Sequence, residues 1–484
     1  MPSSATTPDP RRWAALGLLA VAQFVVVLDA SIMNIALPSV GQAMHVSTDT
    51  LSWVVNAYVL AFGGLLLLGG RLADLLGRRR VFVGGLVVFG LASLAGGLSS
   101  SAEQLIAARA VQGVGAAALA PAALSTVTAL FAPGAERNRA LSIWGAVAGS
   151  GGVAGVLLGG LLTSGLGWEW VLFVNVPVAL GAAVLAPRLF GESRGVDAGG
   201  RVDVAGAVTV TAGTVAGVYA LVQADGAGWA SVQTLGLLGA AVALLGAFLV
   251  IETRVARPLM PLSIFRSRHV LAANVTMIAA GAAMFGLFFF LSLYLQQVLG
   301  YSALEAGVSQ LPLAGSLVVA AGGAGALVER LGVKMVLMMG TALFAGGMLW
   351  FAQLPVDGQF LVNILGPSLL VGLGLALSFV ALTIASVTDV QDTNYGLASG
   401  LINTSQQIGG ALGLAILTAL ADQRTQSAAE AAGVGAINDG YRLALLVGAG
   451  LAAIAFVAAA VLTPGGRRRG AAEVGAGGAE VVAA

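Results

Sequence analysis

The stretch GRLADLLGRRRVF, Gly70–Phe82, holds one acid, Asp74, and four arginines, Arg71, Arg78, Arg79 and Arg80, with long apolar runs on either side. So many charges are too costly for a bilayer core, so the stretch sits at a membrane surface. Its positive charge marks that surface as cytoplasmic. Gly70 and Gly77 let the backbone turn sharply there. Asp74 is placed to cap a helix start or to pair with a neighbouring arginine.

Of 484 residues, 58% are hydrophobic and 9% charged, and the mean hydropathy is +0.94. Soluble domains carry roughly 25% charged residues, so the chain is an all-α integral membrane protein embedded in lipid. Cysteine is absent, which excludes disulfides, thiol catalysis and iron–sulfur clusters. The two histidines, His45 and His269, lie far apart and form no metal-ligand cluster. The single lysine, Lys334, is outside any G-x-x-x-x-G-K-S/T loop, so no nucleotide site of that kind exists. The energy for any work then comes from an ion gradient or from a partner, and no cofactor is expected. A net charge of +1 gives no reason to expect nucleic acid. Twenty-two arginines against one lysine, with abundant Ala, Gly and Val, suggest a high-GC bacterial genome and hence a bacterial cell membrane.

A span needs roughly 20 apolar residues. That rule predicts spans at 13–38, 51–69, 81–100, 104–130, 139–164, 168–188, 202–224, 233–253, 269–295, 303–328, 334–353, 359–386, 397–420 and 441–463, fourteen in all. The first follows Arg11 and Arg12 but is too long for a signal peptide, carries Asp29 and lacks a cleavage site, so it is read as an uncleaved span. An even count puts both termini on one side, and 20 of the 23 basic residues fall on that side. Arg424 and Arg442 fall opposite and Arg109 lies inside a span. Both termini are therefore expected in the cytoplasm. The one discordant inside loop, 387–396, carries Asp389 and Asp392 without a basic residue.

The long inside loops divide the chain into an N-terminal segment 1–12, six spans over 13–188, a linker with two inserted spans over 189–268, six spans over 269–463 and a disordered tail over 464–484. GALVERLGVK, Gly325–Lys334, resembles a worn copy of the Gly70 stretch, with Gly325, Glu329, Gly332 and Lys334 in comparable places. Parallel repeats of this kind build some membrane carriers.

Two charges, Asp29 and Arg109, lie deep within spans. Asp29, in LDASIMNIALP, is expected to face a cavity and bind a proton, burial favouring its neutral form. The alternative is a structural acid satisfied by Ser31 and Asn34. Arg109, in LIAARAVQGVGAA, needs a partner. Asp29 is 9 residues from the outer end of its span and Arg109 is 5, so at about 1.5 Å per residue their depths differ by about 6 Å. They are expected to interact, directly or through a water or polar neighbour, beside a watery passage. Along span five, Gly145, Gly149, Gly155 and Gly159 recur on one face, which allows close helix approach or bending. Asn34, Asn56, Tyr58, Gln112, Asn175, Gln310, Asn403, Gln406 and Gln407 are candidates for a central substrate cavity, or else bond between helices. Phe285 and Phe289 are candidates for an apolar pocket, or else face lipid.

These stretches resemble the major facilitator superfamily, and in particular its fourteen-helix drug:proton antiporter branch. The Gly70 stretch is similar to the signature G-x-L-a-D-r-x-G-r-K/R. Leu28–Pro38 resembles l-D-x-T-v-v-N-v-A-L-P, with Ser31 for threonine. Arg109, Gln112 and Gly113 match R-x-x-q-G. Leu51–Leu60, Trp170–Pro177 and Ser399–Gly413 also look like that branch. The resemblance implies two six-helix halves plus two inserted helices, and a monomer. It implies export of antibiotics or other amphipathic compounds in exchange for protons. Asp74 and Arg78, with Gly70, Gly77 and Arg79, would form a cytoplasmic latch, and Arg109 would couple to proton movement. In the span-five signature g-x-x-x-G-P-x-x-G-G, Gly151, Gly155, Gly159 and Gly160 match and Val156 takes the proline place. Glu169 stands between Trp168 and Trp170 where a basic residue is usual, and Leu75 follows Asp74 in place of arginine. A proton-coupled importer or a metabolite exporter of the same fold is the alternative function. A membrane enzyme or sensor is disfavoured by the lack of histidine clusters, cysteines and a sizeable soluble domain.

Overall fold

The computed structural model describes residues 11–131, 135–193, 203–255, 258–260, 262–388, 390, 395–427 and 433–464. The N-terminal ten residues, Arg194, Arg201, Arg257, Asp389, Asp392, the tail with Arg467–Arg469, and the side chain of Asp74 lie outside that description. Among the described residues the order is α1 (Arg12–Met44), α2 (Thr48–Leu76), α3 (Arg78–Gly97), α4 (Ala102–Leu130), α5 (Ala135–Gly165), α6 (Trp170–Phe173), α7 (Asn175–Leu189), α8 (Val204–Ala227), α9 (Val232–Arg254), α10 (Arg268–Leu293), α11 (Ala303–Ser309), α12 (Leu311–Leu331), α13 (Val333–Phe351), α14 (Leu365–Val387), α15 (Tyr395–Ser427) and α16 (Val434–Leu462). Short polar side chains start many of them. Ser47, Ser101, Ser231, Ser267, Ser302 and Asp203 each accept the backbone N–H three residues on, which satisfies a donor the helix itself cannot.

Eleven helices among the described residues are long and apolar enough to cross a membrane. α2, α5 and α15 are as long, with 29, 31 and 33 residues. α2 and α5 contain the shorter apolar stretches Thr50–Leu66 and Ala154–Gly165, and α15 carries Asn403 to Gln407 across its middle. The expected span at 303–328 is broken at Gln310 into α11 and α12, where Pro312 begins the new helix.

The Gly70 stretch is a turn of one residue, which corrects the broader loop expected from sequence. α2 runs through Gly70 and Asp74 to Leu76, and α3 begins at Arg78. Gly70 is therefore helical, and Asp74 lies in the last turn of α2. Gly77 alone makes the turn, at φ 112°. That left-handed backbone is costly for any residue with a Cβ. Gly332 makes the same turn between α12 and α13, at φ 83°.

Helix packing repeats in step with those turns. In the first six-span group α1 packs on α5, α2 on α4, and α3 on α4 and α7. In the second, α10 packs on α15, α12 on α14, and α13 on α14 and α16. The closest crossings repeat as well. A Cβ on Gly115 would lie 2.6 Å from Phe89 N and 2.8 Å from Gly85 O, so α4 meets α3 backbone to backbone. A Cβ on Gly374 would collide with Phe344 N and lie 2.8 Å from Gly340 O, so α14 meets α13 in the same way. Such contacts replace the hydrophobic drive that lipid removes.

Across the seam α2 packs on α15, and α5 on α11 and α12. The hairpin α8–α9 straddles this seam, because α8 touches both α2 and α15. Thr211 Oγ1 donates to Gly64 O at 3.0 Å, and the Tyr219 ring lies 5.8 Å from Trp53.

Gly115→Ala and Gly374→Ala are each expected to lower stability by about 1–3 kcal/mol through overpacking. Gly84→Ala is expected to be neutral, since nothing lies within 4 Å of a Cβ there. Thermal unfolding of the purified protein in detergent checks this.

Candidate functional site

Five helices of the first group bring six side chains to one point. α1 supplies Asp29, α2 Tyr58, α3 Ser93, α4 Arg109 and Gln112, and α7 Asn175. Arg109 Nη1 donates to Asp29 Oδ2 at 2.5 Å. Gln112 Nε2 and Asn175 Nδ2 donate to Asp29 Oδ1 at 2.8 and 2.7 Å. The carboxylate thus accepts three hydrogen bonds, one of them between full charges, and such bonds are the strong ones. Arg109 also donates to Val54 O at 3.2 Å and to Gln112 Oε1 at 2.5 Å. Its guanidinium lies 4.3 Å from the centre of the Tyr58 ring, a cation–π contact. Gln112 Nε2 is anchored on Ser93 Oγ at 2.7 Å.

Asp29 is 0% and Arg109 1% exposed. Neither faces lipid, and neither opens onto a passage in this conformation, contrary to the expected watery flank. Tyr58, Gln112 and Asn175, themselves buried, fill the space that water would need. The neighbours named from sequence are also corrected. Ser31 donates to Gly152 O at 2.8 Å and Asn34 to Ala30 O at 3.0 Å, while Gln112 and Asn175 hold the acid.

The Gly77 turn is organised by Glu192, beyond the end of α7. Glu192 accepts the backbone N–H of Arg79 at 3.0 Å and of Arg80 at 3.2 Å, which caps α3. Its carboxylate also lies 3.9 Å from Arg79 Nε and 3.7 Å from Arg80 Nε. Arg78 N donates to Ser193 O at 2.9 Å, and Arg78 Nη1 to Ser125 O at 3.1 Å. Arg79 Nη1 donates to Phe190 O at 3.3 Å. Arg78 and Arg79 thus bind the turn to the ends of α4 and α7.

The glycines of α5 divide between two partners. Cβ atoms on Gly151, Gly155 and Gly159 would press on Phe24 O, Ser31 Cβ and Ile35 Cβ of α1 at 2.7, 2.6 and 3.0 Å. One on Gly160 would lie 2.8 Å from Ala303 O of α11. Val156 is buried against Ile35 and Ala303, so it fills the junction of α1, α5 and α11. Three hydrogen bonds tie the groups at this end, remote from the Gly77 turn. Ser292 Oγ donates to Asn34 O at 2.7 Å, Gln296 Nε2 to Ile35 O at 3.0 Å, and Leu304 N to Ser164 Oγ at 3.1 Å.

The remaining cavity candidates scatter. Asn56 is buried in α2, and its amide has no hydrogen-bond partner. Phe289 is buried edge-to-face on Phe290, with centroids 5.2 Å apart. Phe285 covers Gly410. Gln310 is buried and Asn403 exposed. The backbone of Gln406 packs on Gly281, and the Gln407 side chain packs on Gly63 across the seam.

A model of the Major Facilitator Superfamily matches residues 19–414. The chain belongs to the major facilitator superfamily. Puromycin resistance protein pur8 of Streptomyces alboniger is 40% identical over 471 residues, 94% of this chain and 92% of the relative. Cephamycin export protein CmcT of Amycolatopsis lactamdurans is 44% identical over 407 residues, 83% of this chain and 84% of the relative. The solved structure of a bacterial homologue of the human lysosomal transporter Spinster shares the fold, with a TM-score of 0.65 at 17% identity over 94% of this chain and 98% of its own. This major facilitator protein is therefore a membrane transporter by family, with its ion pair enclosed in the first helix group.

Arg109→Ala strands Asp29, and breaking a buried pair costs about 3–5 kcal/mol. Adding Asp29→Asn to that variant is expected to restore part of the loss. Melting temperatures of the two single variants and the double variant close the cycle.

Proposed function

We propose that the protein is a proton-driven exporter of antibiotics or other amphipathic toxic compounds in a bacterial cell membrane. It crosses the membrane fourteen times, works as a monomer with both termini cytoplasmic, and needs no cofactor beyond the proton gradient. The Asp29–Arg109 pair carries this reading. It is an ionisable couple buried in a chain whose relatives include a puromycin resistance protein and a cephamycin export protein. Intramembrane ions of this kind mark proton relays. The lengths of α2, α5 and α15 support fourteen spans, and the basic residues at the Gly77 turn support the orientation.

Protonation of Asp29 removes the charge that holds Arg109. A hydrogen bond to a charged group is worth about 1.5–3 kcal/mol, roughly a ten- to hundred-fold bias between two conformations. α1 carries that bias to the seam. It packs on the α5 glycines and is hydrogen-bonded at Asn34 and Ile35 to the second group. With the groups pinned at that end, the present conformation is closed there, and substrate enters from the Gly77 side. Substrate bound to the ionised form lets that end open. A proton then reaches Asp29 from the outer face as substrate leaves, loosens α1 against α5 for the return, and is released to the cytoplasm, so a proton enters as substrate is expelled.

Everted membrane vesicles loaded by a proton gradient test the proposal with puromycin and a cephamycin. Wild type is expected to accumulate drug on acidification of the vesicle interior. Asp29→Asn is expected to keep drug binding but to lose at least about 90% of gradient-driven uptake, the lower edge of the bias above. Undiminished gradient-driven uptake by Asp29→Asn overturns proton coupling at this acid, and no drug uptake by wild type overturns the substrate class.

A further inference from the structure

A second pair of buried acids lies outside the site just described, at the open end of the hairpin α8–α9. Asp203 caps α8, and Glu252 lies in the last turn of α9. They are 6% and 4% exposed. Each spends one oxygen on a backbone donor. Asp203 Oδ1 accepts Gly206 N–H at 2.8 Å, and Glu252 Oε2 accepts Met260 N–H at 2.9 Å. The other two oxygens, Asp203 Oδ2 and Glu252 Oε1, are buried without a hydrogen-bond partner. Both point into the same small space beside Gly206, where a Cβ would lie 2.5 Å from Asp203 Oδ2 and 2.9 Å from Glu252 Oε1.

The charged surroundings do not relieve this. Among the described residues no ion pair involves either acid, and Arg254, two residues beyond Glu252, is exposed. The segment 258–260 has no ionisable side chain. Of the helices packed on α8, α2 brings Arg71 and Asp74 near its Gly77 end, and α15 brings Tyr395 as its first residue and no further ionisable side chain before Asp422. Arg201 and Arg257 lie outside the described residues. Two facing carboxylates cut off from water cannot both stay ionised without a large penalty.

We propose that Asp203 and Glu252 form a second proton-binding site, in which one proton held between the two carboxylates closes the open end of the inserted hairpin. The proton comes from water and resides on Glu252 Oε1, which donates to Asp203 Oδ2. Asp203 is the acceptor because its side chain caps the N-terminus of α8, where backbone N–H groups and the helix dipole favour negative charge. The proton returns to water when the pair separates. Because α8 lies across the seam on both α2 and α15, the clasp ties the stiffness of this brace to pH. The paired acids titrate as a unit.

Infrared difference spectra of the full chain in lipid nanodiscs, taken between about pH 6 and about pH 9, test this, since an ordinary glutamic acid with a pKa of about 4.3 is already ionised there. Wild type is expected to show the carbonyl stretch of one protonated carboxyl group that persists in Asp29→Asn and vanishes in both Glu252→Gln and Asp203→Asn. Glu252→Gln supplies an amide N–H in place of the proton. It should therefore keep the wild-type melting temperature at the acid end and lose the alkaline fall that wild type shows. A band unchanged in both variants, or no such band in wild type, overturns the site. Either variant alone suffices should the other fail to fold.

Discussion

A carboxylate and a guanidinium removed from water must satisfy one another, and Asp29 and Arg109 do so where five helices meet. The pair bridges 80 residues of sequence, and its neighbours come from α2, α3, α4 and α7. Gln112 and Asn175 complete the carboxylate, Val54 and Tyr58 complete the guanidinium, and Ser93 fixes Gln112. Removing one charge leaves the other stranded, so the helices are held in one mutual register for as long as Asp29 is ionised. In the proposed exporter a single proton on Asp29 changes that condition.

The second group repeats the scaffold without repeating the charges. Gly77 and Gly332 make equivalent turns, and Gly85–Gly115 and Gly340–Gly374 make equivalent crossings. Where the first group ties α1 to α4 by ions, the second ties α10 to α15 by a neutral bond, Ser405 Oγ to Asn274 Oδ1 at 2.7 Å. α16 is tied by Tyr441 to Gln297 at 2.5 Å. Neutral bonds do not change with protonation near neutral pH. In the proposed mechanism the chemistry belongs to the first group, and the second is the body against which α1 and α5 would move.

Much of this was legible in sequence because membranes restrict what a charge can do. An acid and an arginine inside apolar runs at similar depth had few partners other than each other, and arginine asymmetry supports the proposed sidedness. That the chain is built of membrane-length helices followed from run lengths, and the family followed from the motifs around Gly70, Asp29 and Arg109. The unread parts depend on contacts between distant segments. Glu192 gave no local sign that it would cap α3, 113 residues upstream of it. Ser93 looked like any small residue in α3. The glycine crossings were hidden among 69 glycines, since composition does not say which of them face a neighbour. Gly70 and Asp74 were read as turn residues because their types favour turns, but packing kept α2 helical to Leu76. Asp203 and Glu252 lie 49 residues apart in no motif, and only the folded hairpin brings their free oxygens together.

The central claim is that Asp29 gives up or takes up a proton as substrate binds. Proton release from purified protein in weakly buffered detergent, followed with a pH-sensitive dye on addition of puromycin, tests it most directly. The account predicts a drug-dependent proton signal in wild type that is absent in Asp29→Asn while drug binding persists. An equal proton signal in both proteins, or drug binding by wild type with no proton exchanged, would contradict it.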